Sequence, residues 1–281
     1  MRTFKIKSHA KINLALNIIS KKNKLHKIES IVSFISLHDL IYIKQISKKK
    51  HKIVFKGKFS KNIGKKNTIS SLLKLLDKKK FLRNKKFEFV IIKNIPHQAG
   101  MGGGSMNAAS LINFFIEKKI IKISNKDLIK LTSQIGSDVI LGINPTNTIL
   151  CANGKIKKFP KNINLHTLVV KPNFGCSTKY IYSKVKLFSK PKFSSPKQSM
   201  FQIKYLKKLD NNLETIVFNK YPQLKSIKAY LLNLRNNIFV RMSGSGSTIV
   251  AYFNSKNACN EAYKRFKVRF NSLWCITSKT I

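Results

Sequence analysis

The sequence predicts an α+β fold in two parts that meet near residue 157. Three observations lead there. Several segments between residues 3 and 94 carry strand-like alternation, and a glycine cluster (Gly100, Gly102, Gly103, Gly104) runs straight into an apolar segment of helical period. The chain then returns to strands and closes on helices mixed with further strands. A length of 281 residues accommodates two modest domains, placed at residues 1–157 and 158–281.

In order, TFKIKSHAKINLALNII (residues 3–19) is rich in alternating and β-branched positions. LIYIKQI (40–46), HKIVFKG (51–57) and KFEFVIIKN (86–94) follow with period two, so four or five strands are expected before the glycine cluster. A helix is expected from Asn107 to Glu117, with Ala108, Leu111, Ile112 and Phe115 as its apolar stripe. Another is expected from Asn125 to Ile135, opened by Ser124 or Asn125 as N-cap with Asp127 in its first turn. GSDVILG then begins a second small-residue turn. TNTILCANGKIKKF (146–159) reads as a hairpin around Asn153 and Gly154, and LHTLVVKP (165–172) as a strand. The polar stretch FSKPKFSSPKQ (188–198), with two prolines, predicts a mobile loop. Helices over 199–218 and 222–235, the segment NIFVRMSGSGSTIVAYF (237–253), a helix near 256–267 and a strand LWCIT complete the chain.

A net charge of +46 first suggests a nucleic-acid binder. The charge is almost all lysine, however, and it is spread through turns such as SKKNK and DKKKF. A nucleic-acid site concentrates arginine with interleaved aromatics in one region. This texture fits A/T-rich codon drift over a surface, and no specific nucleic-acid partner is expected. Cys151, Cys176, Cys259 and Cys275 lie far apart without CxxC spacing, which indicates neither a zinc site nor a disulfide framework and suits a reducing, cytoplasmic setting. The apolar patch near the N-terminus is interrupted by Lys11, Asn13 and Asn17, with no small-residue cleavage site after it. IVSFISLHDLIYI is too short to span a bilayer and is broken by His38 and Asp39, so no membrane association is expected. Monomer and homodimer both remain open.

The glycine cluster clears backbone for something brought close. Glycine lacks Cβ and tolerates positive φ, so consecutive N–H groups can converge on a phosphate, and the helix that follows adds the positive end of its dipole. A Walker loop would need a lysine that is absent, and Ser105 occupies the third glycine position of the dinucleotide fingerprint. What remains is a phosphate loop of neither common kind, or a plain glycine turn between strand and helix.

Three pieces stand out together: KINLAL at 11–16, GMGGGSMNAA at 100–109 with GSDV at 136–139, and RMSGSGST at 241–248. Their order resembles the GHMP kinase superfamily, from residue 2 to the C-terminus. Within it the match is to the branch that phosphorylates 4-diphosphocytidyl-2-C-methyl-D-erythritol in non-mevalonate isoprenoid synthesis. The resemblance implies a two-domain GHMP kinase fold, with an N-terminal ribosomal-protein-S5-like ATP-binding domain and a C-terminal ferredoxin-like domain. It also implies transfer of the ATP γ-phosphate to a hydroxyl of that small-molecule substrate, with Mg2+ on the nucleotide and no metal ligands assigned on the protein. Asp138, one of only ten carboxylates, is the implied proton acceptor; as a plain residue it would be a turn or cap aspartate. Lys11, in an otherwise apolar strand pattern, is the second implied catalytic group, pointing towards Asp138 and the acceptor hydroxyl. The implied ATP contacts are Pro96, Ala99, Gly100, Met101, Gly102, Gly103, Gly104, Ser105 and Asn107. The implied substrate contacts are Asn13, His26, Thr178, Tyr182, Ser243, Gly244 and Ser245. Other GHMP substrates (mevalonate-like, homoserine-like or sugar) and a basic nucleic-acid binder are the alternatives.

The chain departs from the family pattern in several places. Leu25 stands where an aromatic would stack on cytosine, Gln98 replaces a glycine, Met106 replaces a second serine, and Ile140 and Leu141 replace Pro-Phe. The Met106 change removes a hydroxyl while leaving backbone donors in place.

Overall fold

The computed structural model describes residues 2–23, 25–161 and 163–281. Four strands precede the glycine loop, as the alternation predicts: β1 (Thr3–Lys22), β2 (Leu25–Ile46), β3 (Lys52–Lys56) and, after helix α1 (Thr68–Lys78), β4 (Lys86–Ile92). β2 begins well before the LIYIKQI segment. Its residues 29–35 are all buried; apart from Glu29 both faces carry apolar or small residues, and the alternation that marks a half-exposed strand is lost. Helix α1 lies in a stretch where the strand-like pattern predicts no element. Ile69, Leu72, Leu73 and Leu76 form its buried stripe, and the Asn67 side chain caps it, accepting from the N–H groups of Ile69 and Ser70 at 3.1 and 3.0 Å.

The chain forms two compact units, and each is discontinuous in sequence where the sequence reading expects one cut near residue 157. The first comprises residues 1–10, 37–97 and 102–145, and the second residues 11–36, 98–101 and 146–281. In the first unit, residues 40–46 of β2 pair antiparallel with β4, and β3 pairs parallel with β4. Helices α1, α2 (Gly103–Glu117) and α3 (Asn125–Ile135) close over this sheet, and Phe87, Phe89 and Ile91 meet Leu72, Leu111 and Phe115 in a common core. Beneath the start of α2 lies a buried ion pair. Lys93 donates to the Asp39 carboxylate, whose other oxygen accepts the N–H groups of Asn94 and Ile95 at 2.7 and 2.9 Å.

In the second unit, residues 30–32 of β2 pair with β5 (Asn147–Leu150), which continues through the predicted hairpin to β6 (Ile156–Phe159); Gly154 takes φ +83° at the turn. A separate antiparallel sheet is ordered β10-β7-β9-β8. Its strands are β7 (His166–Lys171), β8 (Asn237–Met242), β9 (Ile249–Phe253) and β10 (Trp274–Lys279). Short helix α4 (Thr178–Ser183) follows β7. α5 (Ile203–Leu206), α6 (Glu214–Lys220) and α7 (Pro222–Leu232) lead into β8, and α8 (Lys256–Arg269) joins β9 to β10. Leu224, Ile227, Leu231 and Phe266 from the helices pack on Leu168, Val240, Ile249 and Ala251 of the sheet.

Two expectations for this unit are corrected. The helix expected over 199–218 breaks into a 3-10 turn (Gln198–Phe201), α5 and α6, because residues 210–212 bond to β1 instead of continuing the helix. Leu16 N donates to Asp210 O at 3.0 Å, Asn212 N donates to Leu16 O at 2.9 Å, and Asn212 Oδ1 accepts from Ile18 N at 2.8 Å. The proline-containing stretch 188–198, expected to be mobile, is tied down. Ser189 N donates to Ile18 O at 2.8 Å, and the buried Glu29 carboxylate accepts from Lys192 N at 2.7 Å and Phe193 N at 3.0 Å. Among the described residues, no helix is long and apolar enough to cross a membrane.

The ion pair under α2 yields a stability test. Lys93→Met leaves the Asp39 charge buried without its cation, and removing one partner of such a pair costs about 3–5 kcal/mol. Urea unfolding of Lys93→Met should show a loss of that order, and an unchanged midpoint would mean that the pair contributes nothing.

Candidate functional site

Glycine supplies the first requirement of the site in the second unit, which is close approach of two backbones. Gly100 has φ +69°, and a Cβ built on it would stand 2.0 Å from the Ser243 carbonyl oxygen. The head of the glycine loop therefore lies directly on the Ser-Gly turn after β8. Ser243 Oγ donates to Gly100 O at 2.9 Å and accepts from Asn13 N at 3.2 Å. Lys11 N donates to Met101 O at 3.1 Å. The three motifs of this unit are thus joined by hydrogen bonds.

The side chains of β1 extend the network. Lys11 is 4% exposed, and its Nζ donates to Asn13 Oδ1 at 2.7 Å; Asn13 Nδ2 donates to Ser30 Oγ at 2.8 Å, and Ser30 Oγ donates to Ala15 O at 2.6 Å. Asn211, which sequence reasoning missed, is buried and steadies the turn by donating to Met242 O at 2.9 Å and Gly244 O at 2.7 Å. Its only signal in sequence is the Asp-Asn-Asn run, a turn-former between apolar stretches. Ser243 is fully buried with its hydroxyl committed to the loop, while Gly244 takes φ +55°. Ser245 Oγ shares a 2.8 Å hydrogen bond with Thr178 Oγ1 at the start of α4. One turn further on, the Tyr182 ring lies 5.3 Å from the His26 ring, tilted by 53°. His26 Nε2 is buried and has no hydrogen-bond partner. Burial, with Lys21 nearby, holds the His26 pKa below its ordinary value, which favours the neutral ring. Leu25, in the place of the stacking aromatic, is 77% exposed. Pro96, Ala99 and Met101 have buried side chains and offer a ligand only backbone.

In the first unit the loop becomes a helix at once. The predicted start at Asn107 moves back to Gly103, because Gly102 takes a left-handed conformation (φ +66°) as N-cap and Met106 N closes the first turn on Gly102 O at 2.8 Å. No side chain caps this terminus, which leaves the N–H groups of the first turn without a capping acceptor, as an anion site needs. Gly103 has an ordinary helical φ; its lack of a side chain makes room for Ile95, 3.0 Å from where a Cβ would stand. Thr68, at the start of α1, donates to Gly104 O at 2.8 Å and is a second residue that sequence reasoning missed. Asn107 is buried, and its Oδ1 has no partner.

The segment carrying Asp138 is held against this same helix start. A Cβ on Gly136 would lie 3.7 Å from Ser105 Oγ, and one on Gly142 would lie 2.7 Å from Ala109 Cβ and 3.0 Å from Met106 Sδ. Asn113 Nδ2 donates to Gly142 O at 3.0 Å. Met106, in place of the second serine, fills this contact as packing. Leu141, in place of an aromatic, is likewise buried core. Asp138 is half-buried at the head of the 3-10 turn Val139–Gly142, and its side chain does not cap that turn. The first unit thus brings Ser105, Asn107 and Asp138 to one helix terminus, and the second brings Lys11, Asn13, Gly100 and Ser243–Ser245 to one turn. His26, Thr178 and Tyr182 line the stretch leading from that turn into α4.

The model of the GHMP kinases N terminal domain matches residues 67–155, and that of the GHMP kinases C terminal matches residues 189–271. A 4-diphosphocytidyl-2-C-methyl-D-erythritol kinase of Pelagibacter ubique (strain HTCC1062) is 66% identical over 281 residues, covering 100% of both chains. The same-named enzyme of Clostridium tetani (strain Massachusetts / E88) is 31% identical over 286 residues, covering 99% of this chain and 100% of the other. A crystal structure of 4-(cytidine 5'-diphospho)-2C-methyl-D-erythritol kinase superposes with a TM-score of 0.78 at 20% identity, covering 98% of this chain and 99% of that one, which supports the two-domain GHMP kinase fold. With its glycine loop, its Ser-Gly turn and end-to-end identity to such relatives, the chain belongs to the GHMP kinases and, among them, to the 4-diphosphocytidyl-2-C-methyl-D-erythritol kinase family.

Proposed function

We propose that this protein transfers the γ-phosphate of ATP to a hydroxyl of 4-diphosphocytidyl-2-C-methyl-D-erythritol, in the cytoplasm, as a step of isoprenoid precursor synthesis. The full-length 66% identity to a relative of that name carries the reading. It favours a kinase over a nucleic-acid binder despite the net charge of +46. In family terms we read residues 1–157 and 158–281 as its two domains, a division bracketed by the family matches at 67–155 and 189–271.

The chemistry assigned to the residues is phosphoryl transfer. The substrate hydroxyl oxygen attacks the γ-phosphorus, the bond to the β,γ-bridging oxygen breaks, ADP leaves, and the hydroxyl proton passes to the Asp138 carboxylate. Lys11, held by Asn13, supplies positive charge for the attacking oxygen. The uncapped amides at the start of α2 and the bare backbone of the glycine loop suit the phosphates. At that terminus Ser105 and the unpartnered Asn107 Oδ1 are hard oxygen donors of the kind Mg2+ takes, and the ion would be held there together with the nucleotide. When bound, Mg2+ neutralises charge on the β- and γ-phosphates. The cytidyl group is assigned to His26 and Tyr182. A neutral imidazole with a buried, unpaired Nε2 can exchange a hydrogen bond with the base, and the tyrosine ring offers it a face.

These assignments are tested by a choice of substrate and by two substitutions. Offered ATP and Mg2+ with the cytidyl alcohol, mevalonate or homoserine, the protein should release ADP with the first alone. Tyr182→Ala should raise the KM for that substrate about tenfold, at the energy scale of one base stacked on an aromatic ring, and leave the KM for ATP unchanged. ADP release with mevalonate instead would overturn the substrate assignment. Asp138→Asn keeps the shape and cannot take the proton, so kcat should fall about 100- to 10,000-fold while calorimetric ATP affinity is retained. Near-normal turnover of the folded variant would remove Asp138 from the role of base.

A further inference from the structure

Gln98 stands where the family pattern has glycine, and its own φ is +47°, in the left-handed region that favours glycine. Its carbonyl oxygen accepts N–H groups from two other parts of the site, Cys176 and Ser247, each at 3.4 Å. Its side chain meets a third feature. A Cβ built on Gly175 would stand 2.4 Å from Gln98 Cβ and 2.6 Å from Gln98 Oε1. Gly175 is not among the residues with positive φ, so its backbone could carry a side chain and only the space is missing. Gln98 occupies that space.

The segment around Gly175 is otherwise well fixed. Phe174 O accepts from Ser247 Oγ at 2.8 Å and from Lys171 Nζ at 2.8 Å, and Thr178 Oγ1 is bonded to Ser245 Oγ. Four residues beyond Thr178 comes Tyr182. Residues 174–178 are therefore held both by the Ser-Gly turn and by Gln98 at the head of the glycine loop.

We propose that Gln98 and Gly175 are a size-matched pair that sets the spacing between the head of the glycine loop and the segment carrying Thr178 and Tyr182. This makes Gln98 a positioning residue for phosphoryl transfer; the inference rests on the kinase reading above. A kinase gains rate by holding the attacking hydroxyl in line with the γ-phosphate, and a displacement of about 1 Å costs about 100-fold. With glycine at residue 98, a Cβ at the facing position would lose its clashes with the Gln98 side chain and keep only a 3.2 Å contact with the residue 98 carbonyl oxygen. Here the bulk lies on the loop and the bare backbone on the opposite segment.

The test is a rescue experiment read by steady-state kinetics. Gly175→Ala should lower kcat by about tenfold or more, with the KM values for ATP and the cytidyl alcohol changed by less than about threefold, since the groups that bind each substrate remain. Adding Gln98→Gly should restore kcat to within about threefold of wild type, because it removes the clashing Cβ. Adding Gln98→Ala should not, because it keeps that Cβ. Wild-type kcat in Gly175→Ala, or equal rescue by the glycine and alanine replacements, would overturn the proposal. If Gly175→Ala fails to fold, the two double variants decide the matter: a folded, active Q98G/G175A beside a defective Q98A/G175A supports the size match, and any other pattern refutes it. If wild-type protein does not phosphorylate the cytidyl alcohol, the kinase reading fails by that control. The same set of variants in melting temperature then tests the contact itself, with rescue by Gln98→Gly alone as the supporting result and its absence as the refuting one.

Discussion

The close approach of Gly100 to the carbonyl of Ser243 is the constraint on which the arrangement of the second unit's residues depends. A single methyl group there would overlap the Ser243 oxygen at 2.0 Å, so the contact exists only while residue 100 has no side chain. Everything gathered around it follows from that approach. Ser243 Oγ can reach Gly100 O and Asn13 N together, Lys11 N can reach Met101 O, and the Lys11 ammonium is then fixed by Asn13 in a position that is nearly closed to solvent. A buried lysine is costly unless its donors are satisfied, and here strand β1 presents the acceptor two residues along on the same face.

The first unit solves a different problem with the same residue type. Gly102 serves as a left-handed N-cap, and no side chain caps α2, so the helix offers N–H groups where a phosphate can use them. Tight packing on the far side keeps the Asp138 turn in register with that terminus: Gly142 rests on Ala109 and Met106, and Gly136 faces Ser105. Below, Asp39 and Lys93 neutralise each other, and the carboxylate also receives the two N–H groups of the chain entering the loop. The substitution of Met106 for serine thus exchanges a hydroxyl for a packing contact without altering the backbone donors.

Much of this was legible in the sequence, and the reasons for the rest are physical. The strands before the loop, the Asn153-Gly154 hairpin and helices such as α3 and α8 follow from periodicity and turn chemistry that tertiary contacts do not override. Helix α1 had a readable stripe at Ile69, Leu72, Leu73 and Leu76, obscured by the lysine-rich stretches on either side. The break at 210–212 was hidden because those residues bond to β1, nearly two hundred positions away, and no local pattern records such a partner. In the site, motif order pointed to the residues, whereas the supporting groups Asn211, Thr68, Asp39 and Lys93 act through contacts that have no motif. The positive φ expected of a glycine cluster falls on Gly100 and Gly102, while Gly103 is needed for space beside Ile95.

Bare backbone at Gly100 holds the Ser-Gly turn and the lysine strand together in a working arrangement. The most direct measurement is turnover of Gly100→Ala with ATP, Mg2+ and the cytidyl alcohol, compared with wild type at equal concentrations of folded protein. A loss of about 100-fold or more is expected, because the methyl group must displace the loop from Ser243. Turnover equal to wild type would contradict it.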